Sequence, residues 1–116
     1  GWLLWSSDSL QGARFGREHD AAACVEQSVR EVMEKCEDAR CAALRSGAFV
    51  RSCLQQTSDE AGRADICGQR WDLPARAALV KGVWCATWAD GADPRCQAAV
   101  DQVPEICSAI EASTGS

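Results

Sequence analysis

The chain has 116 residues, eight cysteines, five tryptophans and a formal net charge of −5. That length bounds it to one domain, residues 1–116, with a core of modest size. The acidic balance excludes a basic stripe for nucleic acid, and no apolar run approaches the ~20 residues of a membrane span.

The charge is not segregated: residues 1–58 carry 7 basic and 8 acidic groups, residues 59–116 carry 5 and 9. Gly1-Trp2-Leu3-Leu4-Trp5 is too short and lacks the basic flank of a signal peptide. Eight cysteines in a chain this short point to an oxidising compartment. The expectation is a mature secreted or periplasmic protein.

Residues 1–18 read as a small β element. Trp2-Leu3-Leu4-Trp5 is the first short strand, Gly12 marks a turn, and Ala13-Arg14-Phe15-Gly16-Arg17 is the second. Such a hairpin is marginal in water and must pack on the rest. Trp2, Trp5 and Phe15 are its anchors; the alternative is an exposed aromatic patch.

Residues 20–56 read as a first helical hairpin. Asp20 is the N-cap of a helix over about 21–37. Val25, Val29, Val32, Met33 and Cys36 form its apolar stripe. Charge pairs such as Glu26/Arg30 and Glu31/Lys35 lie on the solvated side. Glu37-Asp38-Ala39-Arg40 is the turn. A second helix over about 40–56 carries Cys41, Leu44, Ala48, Phe49 and Cys53.

Residues 57–112 read as a second hairpin. Thr57 and Glu60 form a capping box for a short helix over about 58–65. Trp71-Asp72-Leu73-Pro74 opens the next helix with proline at its first position. Its stripe is Leu73, Ala77, Val80, Trp84 and Trp88. Asp90-Gly91-Ala92-Asp93-Pro94 is a turn, an N-cap and a second first-turn proline. The last helix carries Cys96, Ala99, Val100, Val103, Ile106, Cys107 and Ile110. Pro104 lies inside it and predicts a kink or a break. Residues 113–116 read as a disordered tail.

The cysteine spacing constrains the pairing. Cys24 and Cys36 are 36 − 24 = 12 residues apart, as are Cys41 and Cys53. Twelve helical residues rise ~18 Å, whereas bridged Cα atoms lie within about 7 Å. Antiparallel helices therefore pair Cys36 with Cys41 at the turn and Cys24 with Cys53 at the open end. The same reasoning pairs Cys85 with Cys96 and Cys67 with Cys107. A link across the hairpins, such as Cys53 to Cys67, is the competing arrangement. The expected fold is mainly α: two antiparallel helical hairpins stapled by nested disulfides, with a small N-terminal β element.

No residue set points to catalysis. His19 is the only histidine, and it reads as a surface residue at a helix start. No G-x-S-x-G elbow is present, and bridged cysteines leave no thiol nucleophile. Structural zinc favours C-x₂₋₄-C knuckles, and Cys36-x₄-Cys41 is the only close pair. Asp72, Asp90 and Asp93 do not form an EF-hand loop. No cofactor is expected. Trp84 and Trp88, four apart on one helical face, and Asp90 and Asp93 beside them, are the candidate partner-binding residues. The competing reading has the tryptophans filling the gap between the hairpins.

Two resemblances follow. Cys24 to Cys53 resembles the twin-cysteine helical hairpins of mitochondrial intermembrane-space proteins, although its 11-residue spacing departs from their commonest pattern. Phe49-Val-Arg-Ser-Cys53-Leu-Gln-Gln, Ile66-Cys67, Trp84-Cys85, Cys96 and Ile106-Cys107 resemble small exported bacterial proteins of uncharacterised function. Trp2-Leu-Leu-Trp5, Phe15 and Cys24 resemble an opening seen in such proteins. The second resemblance implies export and no activity to carry over. Small disulfide-bonded periplasmic immunity proteins are similar in general character.

The leading expectation is an exported, non-enzymatic binding module whose partner is another protein. The alternatives are a periplasmic inhibitor or immunity protein that occludes an enzyme or toxin, and a cysteine-rich metal carrier.

Overall fold

The computed structural model describes residues 2–114, and the side chains of residues 7–113. Six helices occur among the described residues: α1 (Trp2–Glu18), α2 (Ala21–Lys35), α3 (Ala39–Gln56), α4 (Glu60–Cys67), α5 (Pro74–Trp88) and α6 (Pro94–Thr114). No strand occurs among them.

The N-terminal β element is therefore replaced by a helix. Gly12 and Gly16, read as turn punctuation, lie inside α1 and face α3. A Cβ on Gly12 would overlap the Phe49 carbonyl and sit 3.0 Å from the Phe49 Cα. A Cβ on Gly16 would meet Cys53 in the same way, again 3.0 Å from its Cα. Each glycine costs a helix about 1 kcal/mol relative to alanine. Here the cost is offset because two backbones close up, which strands of a small hairpin could not do. Asp8 bonds Arg45 in the same register, with Nε–Oδ2 and Nη2–Oδ1 both 3.2 Å. Three contacts offset by 37 residues (8 to 45, 12 to 49, 16 to 53) make α1 and α3 run parallel. Phe15 tilts onto Phe49 at a centroid distance of 5.8 Å. The other two expected anchors, Trp2 and Trp5, lie outside the described side chains.

α2 runs back along α3. Asp20 caps α2 by accepting from the Ala23 amide at 2.8 Å, and Asp38 caps α3 by accepting from the Cys41 amide at 2.8 Å. Thr57 and Glu60 do not form the capping box. Asp59 caps α4 through the Gly62 amide, 2.9 Å, and its second oxygen accepts from the Ala21 amide, 3.1 Å. One carboxylate thus closes the starts of α2 and α4. Thr57 instead donates to the His19 carbonyl at 2.8 Å. Thr57 is the C-cap of α3, and its amide already donates to the Cys53 carbonyl at 3.0 Å, which leaves Glu60 no amide to accept from.

α3 is the centre of the molecule and packs on α1, α2 and α6. Its buried side is Ala42, Ser46, Phe49, Val50, Cys53 and Leu54. The expected stripe is shifted by about one residue, so Leu44 is left 43% exposed. A helix covered from three directions buries more than one narrow stripe. α6 lies chiefly on α3 and α2, and less on α5. The second hairpin is thus a looser unit than the sequence implies, because α6 belongs to the central bundle. All seven expected core positions of α6 are buried. The helix continues through Pro104 to Thr114, so no break occurs and Ser113 and Thr114, expected in a disordered tail, are helical; the rest of that tail lies outside the described residues. Val103, Ile106, Cys107 and Ile110 hold it against α3 on both sides of the proline.

The core has two ends. Cys24, Val25, Val50, Cys53, Leu54, Ile66, Val103 and Ile110 fill one. Val29, Val32, Cys36, Ala42, Cys85, Cys96 and Val100 fill the other.

Candidate functional site

All eight cysteines are bonded. Cys24 joins Cys53, Cys36 joins Cys41, Cys67 joins Cys107 and Cys85 joins Cys96, with Cα separations of 5.5–5.9 Å. Cys24–Cys53 and Cys36–Cys41 lie at opposite ends of the α2/α3 pair. Cys67–Cys107 ties α4 to α6, and Cys85–Cys96 ties α5 to α6. Each bridge contributes roughly 2–4 kcal/mol by restricting the unfolded chain.

Trp71, Trp84 and Trp88 form one cluster. Trp71 meets Trp84 edge-on at 5.6 Å, and Trp84 meets Trp88 at 5.4 Å. The Trp71 indole N–H donates to the Ile66 carbonyl at 2.9 Å. All three rings pack against both ends of the core. They bridge the two ends and are half-buried on the inner side of α5. Arg70, just before Trp71, has φ 60°, an uncommon backbone for a side chain with a Cβ. Its guanidinium grips Asp72 with two bonds of 3.1 and 3.0 Å.

Asp93 is committed to a structural node. Its oxygens accept from the Arg95 guanidinium at 3.0 and 2.8 Å and from the Arg95 amide at 2.8 Å. The Arg95 guanidinium, then its backbone N–H, hold the Asp93 carboxyl down at about 2 from an ordinary 3.8. Arg95 Nη1 also donates to the Met33 and Cys36 carbonyls, each at 3.0 Å. It therefore caps the carbonyl end of α2, where a cation is favoured by the helix dipole. Asp90 is exposed; the Asp93 hydrogen bond raises the Arg95 pKa most, and the Asp90 charge adds a smaller share. Gly91 turns the chain with φ 66°. Of the four candidate contact residues, only Asp90 stands fully in solvent.

The feature that sequence periodicity missed is the outer side of α5. Only Val80 and Cys85 of α5 are buried. Leu79 is 56% and Val83 53% exposed, and Leu73, expected in the inner stripe, is 46% exposed. Ala75, Ala78, Gly82 and Ala86 are exposed between them. A helix apolar on all sides ordinarily belongs inside a protein. The signal was available: residues 77–80 and 82–86 contain no charge, but a stripe of tryptophans drew the inner face first.

His19 stacks on Phe15 at 3.7 Å, and its Nδ1–H donates to the Phe15 carbonyl at 2.9 Å. It lies exposed just past the end of α1, between Glu18 and Asp20. A groove of about 360 Å³ runs between α3 and α6, floored by Gly47, Ala48 and Ala109 and edged by Arg51 and Glu105. Among the described residues, no group of three or more His, Cys, Asp or Glu is placed to hold a metal ion, and no helix is long and apolar enough to cross a membrane.

These features define an all-helical protein stapled by four disulfides, with one helix apolar on both sides. No family model, no curated protein and no solved structure matches the chain.

Proposed function

We propose that the protein is an exported, non-enzymatic binding module that acts by contact with another protein. The observation that carries this reading is the exposed apolar face of α5, formed by Leu79 and Val83 with the small residues around them. Contiguous apolar surface on a soluble domain ordinarily marks an interaction site. Four disulfides support export, since such bonds persist in oxidising compartments. One of them, Cys85–Cys96, also ties α5 to α6, and restraint of this kind lowers the entropy cost of binding. The resemblance to small exported bacterial proteins agrees with this location.

The inhibitor or immunity reading is a special case of the same module, with an enzyme or toxin as partner. The metal carrier is not proposed, because every cysteine sulfur is bonded to another.

The test is co-purification from the envelope fraction of the source organism, comparing the wild type with Val83→Asp. A partner recovered with the wild type and lost from the variant is the expected result. An identical set of proteins from both would refute the reading.

A further inference from the structure

We propose that the outer face of α5 receives an amphipathic helix of a partner protein whose apolar seam is bordered by aspartate or glutamate. The proposal rests on the binding-module reading and adds the chemistry of the partner.

Shape comes first. Successive positions on the outer side of α5 are Ala75, Ala78, Leu79, Gly82, Val83 and Ala86, which share one face at three- and four-residue steps. Leu79 and Val83 make a ridge, and the small residues make a shallow lane beside it. That is the relief into which the ridge of another helix packs. Gly82 has no reason inside this chain: a Cβ added there meets nothing within 4 Å. It weakens α5 by about 1 kcal/mol and leaves its lane open to a close approach from outside. Fifteen residues of helix give a seam of ~22 Å, the length of a partner helix of about four turns.

Charge then selects the partner. The chain carries −5 overall, yet Leu73 to Ala89 contains two cations, Arg76 and Lys81, and no acid. Lys81 is occupied by Asp101 at 3.0 Å. Arg76 is exposed and has no partner among the described residues. It stands in the first turn of α5, where no side chain caps the helix. The free amides and the positive end of the helix dipole therefore add to its charge. An apolar face with this border favours a helix that brings carboxylates to it.

Other occupants fit less well. A second copy would bring another α5, which has no acid within the helix; its flanking Asp72 is held by Arg70, and its Asp90 lies beyond the C-terminal end. An anionic lipid surface would suit Arg76 but would repel a chain of net −5, and lipid does not need the lane at Gly82.

The test uses two helical peptides, each of about 15 residues, labelled with fluorescein and binding the oxidised full chain. Both carry the same leucine and alanine seam; one is bordered by glutamate, the other by lysine. The glutamate peptide is expected to bind about tenfold tighter at low salt, with the gap closing as salt screens it. Val83→Asp should abolish binding of both, and Arg76→Glu should reverse the preference. Far-ultraviolet circular dichroism and free-thiol counts would verify that both variants are folded. Equal binding of the two peptides, lost in Val83→Asp, would overturn the acidic partner and leave α5 as a binding face. Binding of neither peptide, or binding indifferent to Val83→Asp, would overturn this proposal and remove the support α5 gives to the module reading. Self-association abolished by Val83→Asp would assign the face to a second copy. Capture by phosphatidylglycerol vesicles, released by Leu79→Asp, would assign it to lipid. Either would overturn the proposal.

Discussion

Alanine in place of glycine should act with opposite signs at Gly12 and Gly82. Both lie inside helices, so each change gains about 1 kcal/mol of helix propensity. At Gly82 nothing opposes the gain, because the space around an added Cβ is empty to 4 Å. Gly82→Ala should stabilise the protein by about 0.5–1 kcal/mol. At Gly12 the new methyl sits 3.0 Å from the Phe49 Cα and overlaps its carbonyl. Carbon atoms prefer about 3.5–4.0 Å, so α1 must retreat from α3 by about 0.5–1 Å. The obstacle is backbone, which has no rotamer to change. Overpacking of this kind costs about 1–3 kcal/mol, here toward the upper end. The net effect of Gly12→Ala is a loss of about 1–2 kcal/mol, after subtracting the gain in propensity. Gly16→Ala, against Cys53, should behave alike. Urea unfolding of the oxidised proteins, followed by tryptophan fluorescence, measures the difference. A Gly12→Ala variant as stable as Gly82→Ala would show that α1 does not seat on α3 as described.

Other consequences are equally open to measurement. Asp93 is held at about 2 against an ordinary 3.8, and Asp59 is lowered by the Ala21 and then the Gly62 amides. Both carboxylates have depressed folded pKa values, so their stabilisation is complete above the unfolded value. For Asp59 it fades as pH falls below about 4, and for Asp93 it fades as pH falls from about 4 to about 2. Asp93→Asn should therefore flatten urea midpoints across that window while lowering them at neutral pH. Arg45→Met should destabilise more than Asp8→Asn, by about 2–4 kcal/mol in a thermal melt, because it strands a buried carboxylate. Equal losses would mean that Asp8 finds water. Replacing Cys85 and Cys96 together by alanine should speed amide exchange in α5 and leave α2, α3 and α6 protected. Uniform loss of protection would show that α5 is integral to the bundle.

Local chemistry was legible where one residue decides one event. Asp20 caps its helix, Pro74 and Pro94 open theirs, and the stripe of α6 falls on buried positions. The rise of a helix forbids Cys24 from reaching Cys36, and the antiparallel alternative is the bonding in the structure. Glycine was the residue most easily misread. Gly12 and Gly16 look like turns in sequence because a missing Cβ serves a turn and a close helix contact equally well. The choice depends on what lies opposite, and Phe49 and Cys53 are 37 residues away.

The sequence by itself determined the helical segments α2 to α6, most of their starts and, for α2 and α6, the side turned to the core, while α1 read as strands. These depend on intervals of three or four residues, within which the chain has little freedom. Tertiary structure decided which helices share the core. It seated α6 on α3, paired Asp93 with Arg95, whose guanidinium also reaches the Met33 carbonyl, and turned Trp71, Trp84 and Trp88 inward. It left Leu79 and Val83 in solvent because α5 turns its other side, with Trp84 and Cys85, to the core. No interval in the sequence encodes that choice, since it depends on which helices come to lie beside α5.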